Sequence, residues 1–213
     1  SILVLPSRFL ELVLLPFAAL VLRVINLGSR PLWWDDGRNI FFARLDWVTA
    51  AQTAIRSGDT NPPIFRMLLR EWMCLVGPSP FAIRLLSVLI GVVTVAMLYR
   101  LGAYMFGRRA ARIAGLLAAA SPPLIYYSQE AKGYALVILA VSLSVWIWLK
   151  LHRPFLSPTR SSGPTRSYSS LVAWPLFTLA TMLAVGSHLF ASLFVLVENL
   201  WTLLITWRIF PRV

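Results

Sequence analysis

Residues 82–106, "AIRLLSVLIGVVTVAMLYRLGAYMF", form an apolar run of membrane-crossing length. A spanning helix needs about 20 mostly apolar residues, with roughly 17–25 tolerated. Working outward, residues 9–28, 133–150 and 188–207 meet the same requirement, while 112–127 and 171–187 are shorter and are expected to pair with them. Pro175 inside the 171–187 run is a break that neighbouring helices accommodate within a membrane. The composition agrees, because only 13% of the 213 residues are charged and 58% are hydrophobic. Soluble domains average about 25% charged residues. The expected fold is all-α: one module over residues 1–213, a polytopic membrane bundle of six transmembrane helices. The first run is followed by "GSRPLWWDD" rather than by a small-residue cleavage site, so it is expected to be a retained span and not a leader.

The net charge of +12 would suit nucleic acid, but the placement of the bases argues against that partner. They fall in short clusters between apolar runs, as membrane topology signals do. With the N-terminus in the cytoplasm, Arg100, Arg108, Arg109, Arg112, Lys150, Arg153, Arg160, Arg166 and Arg208 lie on the inner side. Asp35, Asp36, Asp46, Asp59, Glu71 and Glu130 fall outside. The Pro-, Ser- and Arg-rich stretch 151–170 is expected to be a cytoplasmic loop. The lone Cys74 excludes an intramolecular disulfide, and no Cys/His cluster suggests a metal site. The cofactor is open, and a divalent cation is compatible with this reading.

The outer segment 29–81 is too charged to span and too apolar to float. From Arg38 to Arg56, apolar residues recur at Phe41, Leu45, Val48 and Ile55, which is helical spacing. "PPIFRMLLREWMCLVG" repeats the pattern with Phe65, Leu68, Leu69, Trp72 and Val76, and sets Arg66 and Arg70 on another face. Two amphipathic helices lying on the outer membrane surface are expected, the second started by Pro62 and Pro63.

Chemistry is concentrated in a few places. Asp35 and Asp36 follow the first apolar run, at its outer mouth. A carboxylate beside a membrane surface can serve as general base towards an acceptor hydroxyl or amine. The same two acids would equally suit the N-terminus of a helix. In "YYSQEAKGYAL", 126–136, Glu130 and Lys132 stand between two apolar runs. Ser128 and Glu130 would cap the following helix, with Lys132 snorkelling outward; alternatively Lys132 holds a phosphate beside the break at Pro122 and Pro123. Glu198 lies inside the last run, and an acid there must be protonated, paired or facing a wet cavity. Arg23 in the first run is a candidate partner for it. His188, at the start of that last run, reads on spacing as an interfacial residue.

Taken in order, the acidic pair, "DTNPPIFRMLLREWM", the run from Phe81 through "YYSQEAKGYAL", and "GSHLFASLFVLVENLWTLL" resemble the membrane-embedded GT-C glycosyltransferases, the superfamily of protein mannosyltransferases and aminoarabinose transferases. The resemblance implies an enzyme that takes a sugar from a polyprenyl-phosphate carrier on the extracytoplasmic face, in a bacterial cytoplasmic membrane. It places the family's catalytic base on Asp35, with Asp36 in the position of a second acid that is usually Glu. "YSQEAK" stands where the family has "YSQEAR", so Glu130 and Lys132 fall on the donor side, joined by Arg66, Arg70 and His188 as substrate-binding residues. The family's "HPP" appears as Asn61, Pro62 and Pro63, without the histidine. Family enzymes continue beyond the sixth span, so this chain is expected to be the N-terminal membrane module alone. A non-catalytic subunit of a larger membrane complex is the alternative, with the nine tryptophans available to pack against partner helices.

The topology is testable in a background lacking Cys74. A membrane-impermeant thiol reagent applied from outside should modify a cysteine placed at Gly58 and spare one placed at Ser162; the reverse pattern would overturn the orientation.

Overall fold

A computed structural model describes residues 7–156 and 166–209 of the chain. These residues form ten helices and no strand: α1 (Ser7–Val24), α2 (Trp34–Arg44), α3 (Trp47–Ser57), α4 (Ile64–Val76), α5 (Pro80–Phe106), α6 (Arg108–Ala120), α7 (Pro122–Ser128), α8 (Tyr134–Leu156), α9 (Arg166–Ser187) and α10 (Ala191–Ile209). The all-α expectation is met. Of the six expected spans, two are long and apolar enough to cross a membrane: Pro80–Phe106 and Tyr134–His152. Shorter apolar stretches lie at Val13–Val24, Leu171–Ser187 and Ala191–Leu204. Part of the 151–170 stretch expected to be loop is helical, because α8 runs on to Leu156 and α9 starts at Arg166; residues 157–165 lie outside the described residues.

The ends of α5 follow from sequence chemistry. Ser79 accepts the Ala82 N–H at 3.2 Å, and Pro80 occupies the first helical turn, where a missing N–H costs nothing. Gly107 ends the helix at φ +86°, a backbone setting that favours glycine, and α6 starts at the next residue. The tight α5–α6 hairpin packs against α1 through Ala19, Val95, Ala118 and Ala119.

The third expected span is two helices, and the cause is chemical. In a continuous helix, residues 122 and 123 would donate their N–H groups to the carbonyls of Ala118 and Ala119. Both residues are proline and have no N–H, so the helix breaks at Ser121 and leaves those two carbonyls without helical donors. Arg23 of α1 supplies what is missing. Its guanidinium donates to the Ala118 carbonyl at 3.1 Å, to the Ala119 carbonyl at 3.1 Å and to Ser128 Oγ at 3.2 Å. In return, the Gln129 side-chain amide donates to the carbonyls of Arg23 and Ile25, both at 3.0 Å, where α1 ends. The end of α6 is thus capped from α1, and the end of α1 from the residue that closes α7. Gly91 of α5 makes room for this junction, since a Cβ there would stand 2.2 Å from Ser128 Oγ. The expected partnership of Arg23 with Glu198 is therefore absent; Glu198 of α10 accepts instead from Ser144 of α8 at 2.9 Å.

The outer segment departs from expectation in two ways. The helix expected over Arg38–Arg56 is two, because Asp46 turns its carboxylate onto the N–H groups of Val48 and Thr49 and starts α3 afresh. Nor do all these helices lie on a surface. Ile40 and Ala43 of α2 with Phe65 and Leu69 of α4 join Ile83, Ala131 and Leu136 in one core cluster. Only α3 has no buried residue, and it leaves Val48 and Ile55 exposed.

The Arg23 junction yields a stability prediction. Arg23→Met keeps the volume and removes the donors, and an unsatisfied buried carbonyl costs about 1–3 kcal/mol. The variant in detergent should melt several degrees below the wild type; an unchanged melting temperature would show that the carbonyls find other donors.

Candidate functional site

Asp35 and Asp36 open α2, and successive helical residues point about 100° apart, so the pair does not share one environment. Asp36 turns inward and is 2% exposed. Its Oδ2 accepts from Arg84 Nη2 at 2.9 Å and from the Trp33 N–H at 3.4 Å, while Oδ1 accepts the Ala131 N–H at 2.8 Å. Arg84 also donates to the carbonyls of Leu27, Arg30 and Pro31, which draws the chain leaving α1 around its guanidinium. Asp36 thus ties α2 to α5 and to the stretch between α7 and α8.

A second network fixes the same face. Asn39 donates to the Ala131 carbonyl at 2.9 Å and accepts from Arg66 Nε at 3.0 Å. Arg66 lies over the Phe42 ring at 4.1 Å and bonds Asp59 at 2.5 Å, with Arg38 reaching the other Asp59 oxygen at 3.3 Å. Burial pushes the Asp59 carboxyl up, but hydrogen bonds from Asn61 and Arg66 outweigh it and hold the group below its usual range. The loop that carries Asn61 and Pro62 is thereby held against α2.

Asp35 points the other way, its side chain 56% exposed, and Oδ2 accepts from Lys132 Nζ at 2.7 Å. Lys132 also lies 4.6 Å from the Tyr134 ring centroid. Burial pulls the Lys132 ammonium down, yet its bonds to Asp35 and Tyr134 prevail and keep it above the ordinary lysine value, hence cationic. His188 sits in the turn between α9 and α10, stacked on Phe190 at 5.4 Å and tilted against Tyr134 at 5.5 Å. Burial first, then the nearby Lys132 charge, push its imidazole below the ordinary value, so the ring is neutral at pH 7. Nδ1 accepts the Phe190 N–H at 3.3 Å, which leaves the proton on Nε2. Gly133 allows this approach, because a Cβ there would lie 2.7 Å from the Ser187 carbonyl oxygen.

Two spaces meet at His188. A small polar pocket of about 20 Å³, room for one water, is lined by Asp35, Asn61, Pro62, Arg66, Lys132 and His188 among others. An apolar groove of about 400 Å³ runs along α8 and α10 past Val137, Ile138, Val141, Phe190 and Phe194.

The structure therefore gathers Asp35, Lys132, His188 and Arg66 of the expected site residues. Asp36 does not face the pocket; both its oxygens are spent on α5 and Ala131. Arg70 does not line it either: it donates to the Leu45 carbonyl and braces the α2–α3 junction. Glu130 turns to the Tyr126 hydroxyl rather than capping the following helix. Ser128 caps no following helix, since its hydroxyl returns to the Leu124 carbonyl at 2.5 Å. Sequence reasoning missed Arg84, Asn39 and the Asp59–Asn61 turn. Arg84 had a legible signal, a charge inside an apolar run, where ionisable residues default to a role.

Comparison with known proteins gives one family. The model of the dolichyl-phosphate-mannose-protein mannosyltransferases matches residues 60–182, more than half of the chain, from the turn before α4 into α9. No curated protein and no solved structure matches the chain.

The Asp36 strut can be tested apart from any activity. Arg84→Met leaves a buried carboxylate without its cation, which costs about 3–5 kcal/mol. Melting in detergent should fall sharply, and adding Asp36→Asn should restore part of the loss; a single variant as stable as the wild type would show that the pair does not hold α2.

Proposed function

The chain belongs to the dolichyl-phosphate-mannose-protein mannosyltransferase family, and from that premise we propose that it transfers a sugar from a polyprenyl-phosphate carrier to an acceptor on the extracytoplasmic face. The observation that carries this reading is the convergence of Asp35, Lys132 and His188 on one polar pocket that shares His188 with an apolar groove. A lipid-phosphate sugar has three chemically distinct parts, and these surfaces suit them in order. The groove, within the usual ~300–1,000 Å³ of ligand sites, takes the first part of the lipid chain. Lys132 at its polar end takes the phosphate. Asp35, exposed at the mouth, faces the acceptor. The pocket is too small for a sugar ring, so the reacting carbon lies over the mouth rather than inside.

The proposed step is an inverting displacement. Asp35 removes the proton of the acceptor hydroxyl, the acceptor oxygen bonds to the anomeric carbon, and the carbon–oxygen bond to phosphate breaks. The electron pair leaves with the polyprenyl phosphate, where Lys132 offsets the charge that develops. Lys132 is paired with Asp35. An ion pair this exposed is worth only about 0–1 kcal/mol, so an arriving phosphate can take the ammonium and leave the carboxylate free to accept a proton. Neutral His188 offers Nε2–H as a hydrogen-bond donor to the donor's phosphate or sugar. Asp36 and Arg66 act at one remove, by holding α2 and the Asn61–Pro62 turn in place. The same proposal includes the finer topology: six spans, both ends in the cytoplasm, and α2 to α4 outside.

Purified protein supplied with a polyprenyl-phosphate sugar and an acceptor tests the assignment. Asp35→Asn should lose about 10²–10⁴-fold in rate, the usual contribution of a general base, with an unchanged melting temperature. Lys132→Ala should chiefly raise the KM for the donor. Wild-type transfer by Asp35→Asn would refute the mechanism.

A further inference from the structure

The end of the bundle opposite Asp35 carries cations that the chain itself does not neutralise. Among the described residues, Glu11 is the one acid side chain that lies there. From Glu71 to Glu130 the sequence holds no acid, and beyond Glu130 only Glu198, which is bonded to Ser144. Glu11 in α1 is already shared: Oε1 accepts from Arg108 at 2.8 Å and from Arg112 at 2.7 Å, and Oε2 accepts from the Tyr99 hydroxyl at 2.7 Å. One carboxylate thus serves two guanidinium groups, and none remains for the others.

Among the cations at this end outside the Glu11 cluster, Arg100 of α5 and Lys150 of α8 come together. Both are exposed, and both stand at one indole: Arg100 Cζ lies 5.4 Å and Lys150 Nζ 3.6 Å from the Trp146 ring. Measured to the same ring, the two charges are less than about one Debye length apart, ~10 Å at 0.1 M salt, and repel with little screening. The ring face attracts each of them weakly, but it supplies no counter-charge. Among the described residues, α5 and α8 are the two helices long and apolar enough to cross a membrane, and Arg100 and Lys150 come near their ends beside one tryptophan. Trp beside Lys and Arg at such a depth is the composition of a membrane–water boundary, and basic pockets between helices there take anionic headgroups.

We infer that Arg100, Trp146 and Lys150 form a binding site for the phosphate of an anionic phospholipid headgroup, on the membrane face opposite the sugar-transfer site. The phosphate sits between the two cations and relieves their repulsion, and the indole supports the glycerol region. The site is independent of the transferase reading, because nothing in it touches Asp35 or Lys132.

The test follows thermal melting of the purified protein in neutral detergent on titration with phosphatidylglycerol, phosphatidylcholine or inorganic phosphate. Phosphatidylglycerol should raise the melting temperature, and the other two should not. The double variant Arg100→Gln, Lys150→Gln should need roughly thirtyfold more phosphatidylglycerol for the same rise, from two basic contacts. The charge-retaining pair Arg100→Lys, Lys150→Arg should stay within about threefold of wild type on the same reasoning. Arg109→Gln removes one charge at the same end, away from Trp146, and should leave the midpoint unchanged. A wild-type midpoint in the double glutamine variant would overturn the site. So would a shift of about fivefold in Arg109→Gln, the effect of one basic residue in a diffuse field. A full rise with inorganic phosphate alone would overturn the lipid as its source.

Discussion

The Asp36–Arg84 pair, closed off from water, decides how α2 and the polar pocket beside it sit. A buried ion pair adds little net stability, because desolvating both charges offsets most of their attraction. Its effect here is on position. Arg84 gathers three carbonyls from the chain leaving α1, and Asp36 passes that constraint to the Ala131 N–H. With both Asp36 oxygens engaged, α2 has one orientation, and in that orientation Asp35 faces out towards Lys132. An arrangement built on apolar contacts alone would leave α2 free to rotate or slide; directional bonds to a guanidinium and a backbone amide do not.

How much of this was legible in the sequence varies with the range of the interaction. Each apolar run became helix, because hydrophobic patterning is local. The Pro122–Pro123 break was visible for the same reason. The start of α3 at Asp46 was legible in principle as an N-cap, but helical spacing running through Leu45 masked it. The stretch from Ser128 to Lys132 was recognisable as a polar cluster, yet the partners of its residues were not. Apart from the local contacts of Ser128 with Leu124 and Glu130 with Tyr126, they lie between 92 and 106 residues away, on α1 and α2. Nothing in a run of residues says which of two adjacent aspartates turns inward, and that choice separates a strut from a candidate base. The outer segment shows the opposite limit. Its amphipathic patterning was read correctly, but an apolar face does not say whether lipid or another helix covers it, and for α2 and α4 the answer was α5 and α8.

The polar pocket and the apolar groove are also consequences of small residues in particular places. Gly133 lets the start of α8 press against the end of α9, which brings Lys132 and His188 to the same corner. The groove stays open beside them because α10 leaves α8 there and closes on it farther along, where Ser144 meets Glu198 and Trp148 meets Thr202. The tight end is polar and the roomy end apolar. That ordering lets a single ligand present a charged head and a greasy tail without either meeting the wrong surface.

The capping of α6 by Arg23 has a consequence for how the chain is made. The carbonyls that receive this guanidinium lie 95 and 96 residues further along the chain. A ribosome delivers α1 long before it delivers them. In a six-span arrangement the newborn first helix would carry an unsatisfied arginine, which costs up to about 2.5–3.5 kcal/mol at the bilayer midplane. Until α6 is made, the guanidinium's other partners in that arrangement would be headgroups or water. Only once α6 has ended at Ser121 are both carbonyls in place to receive it. The last bonds of α1 therefore wait on a break written about a hundred residues downstream.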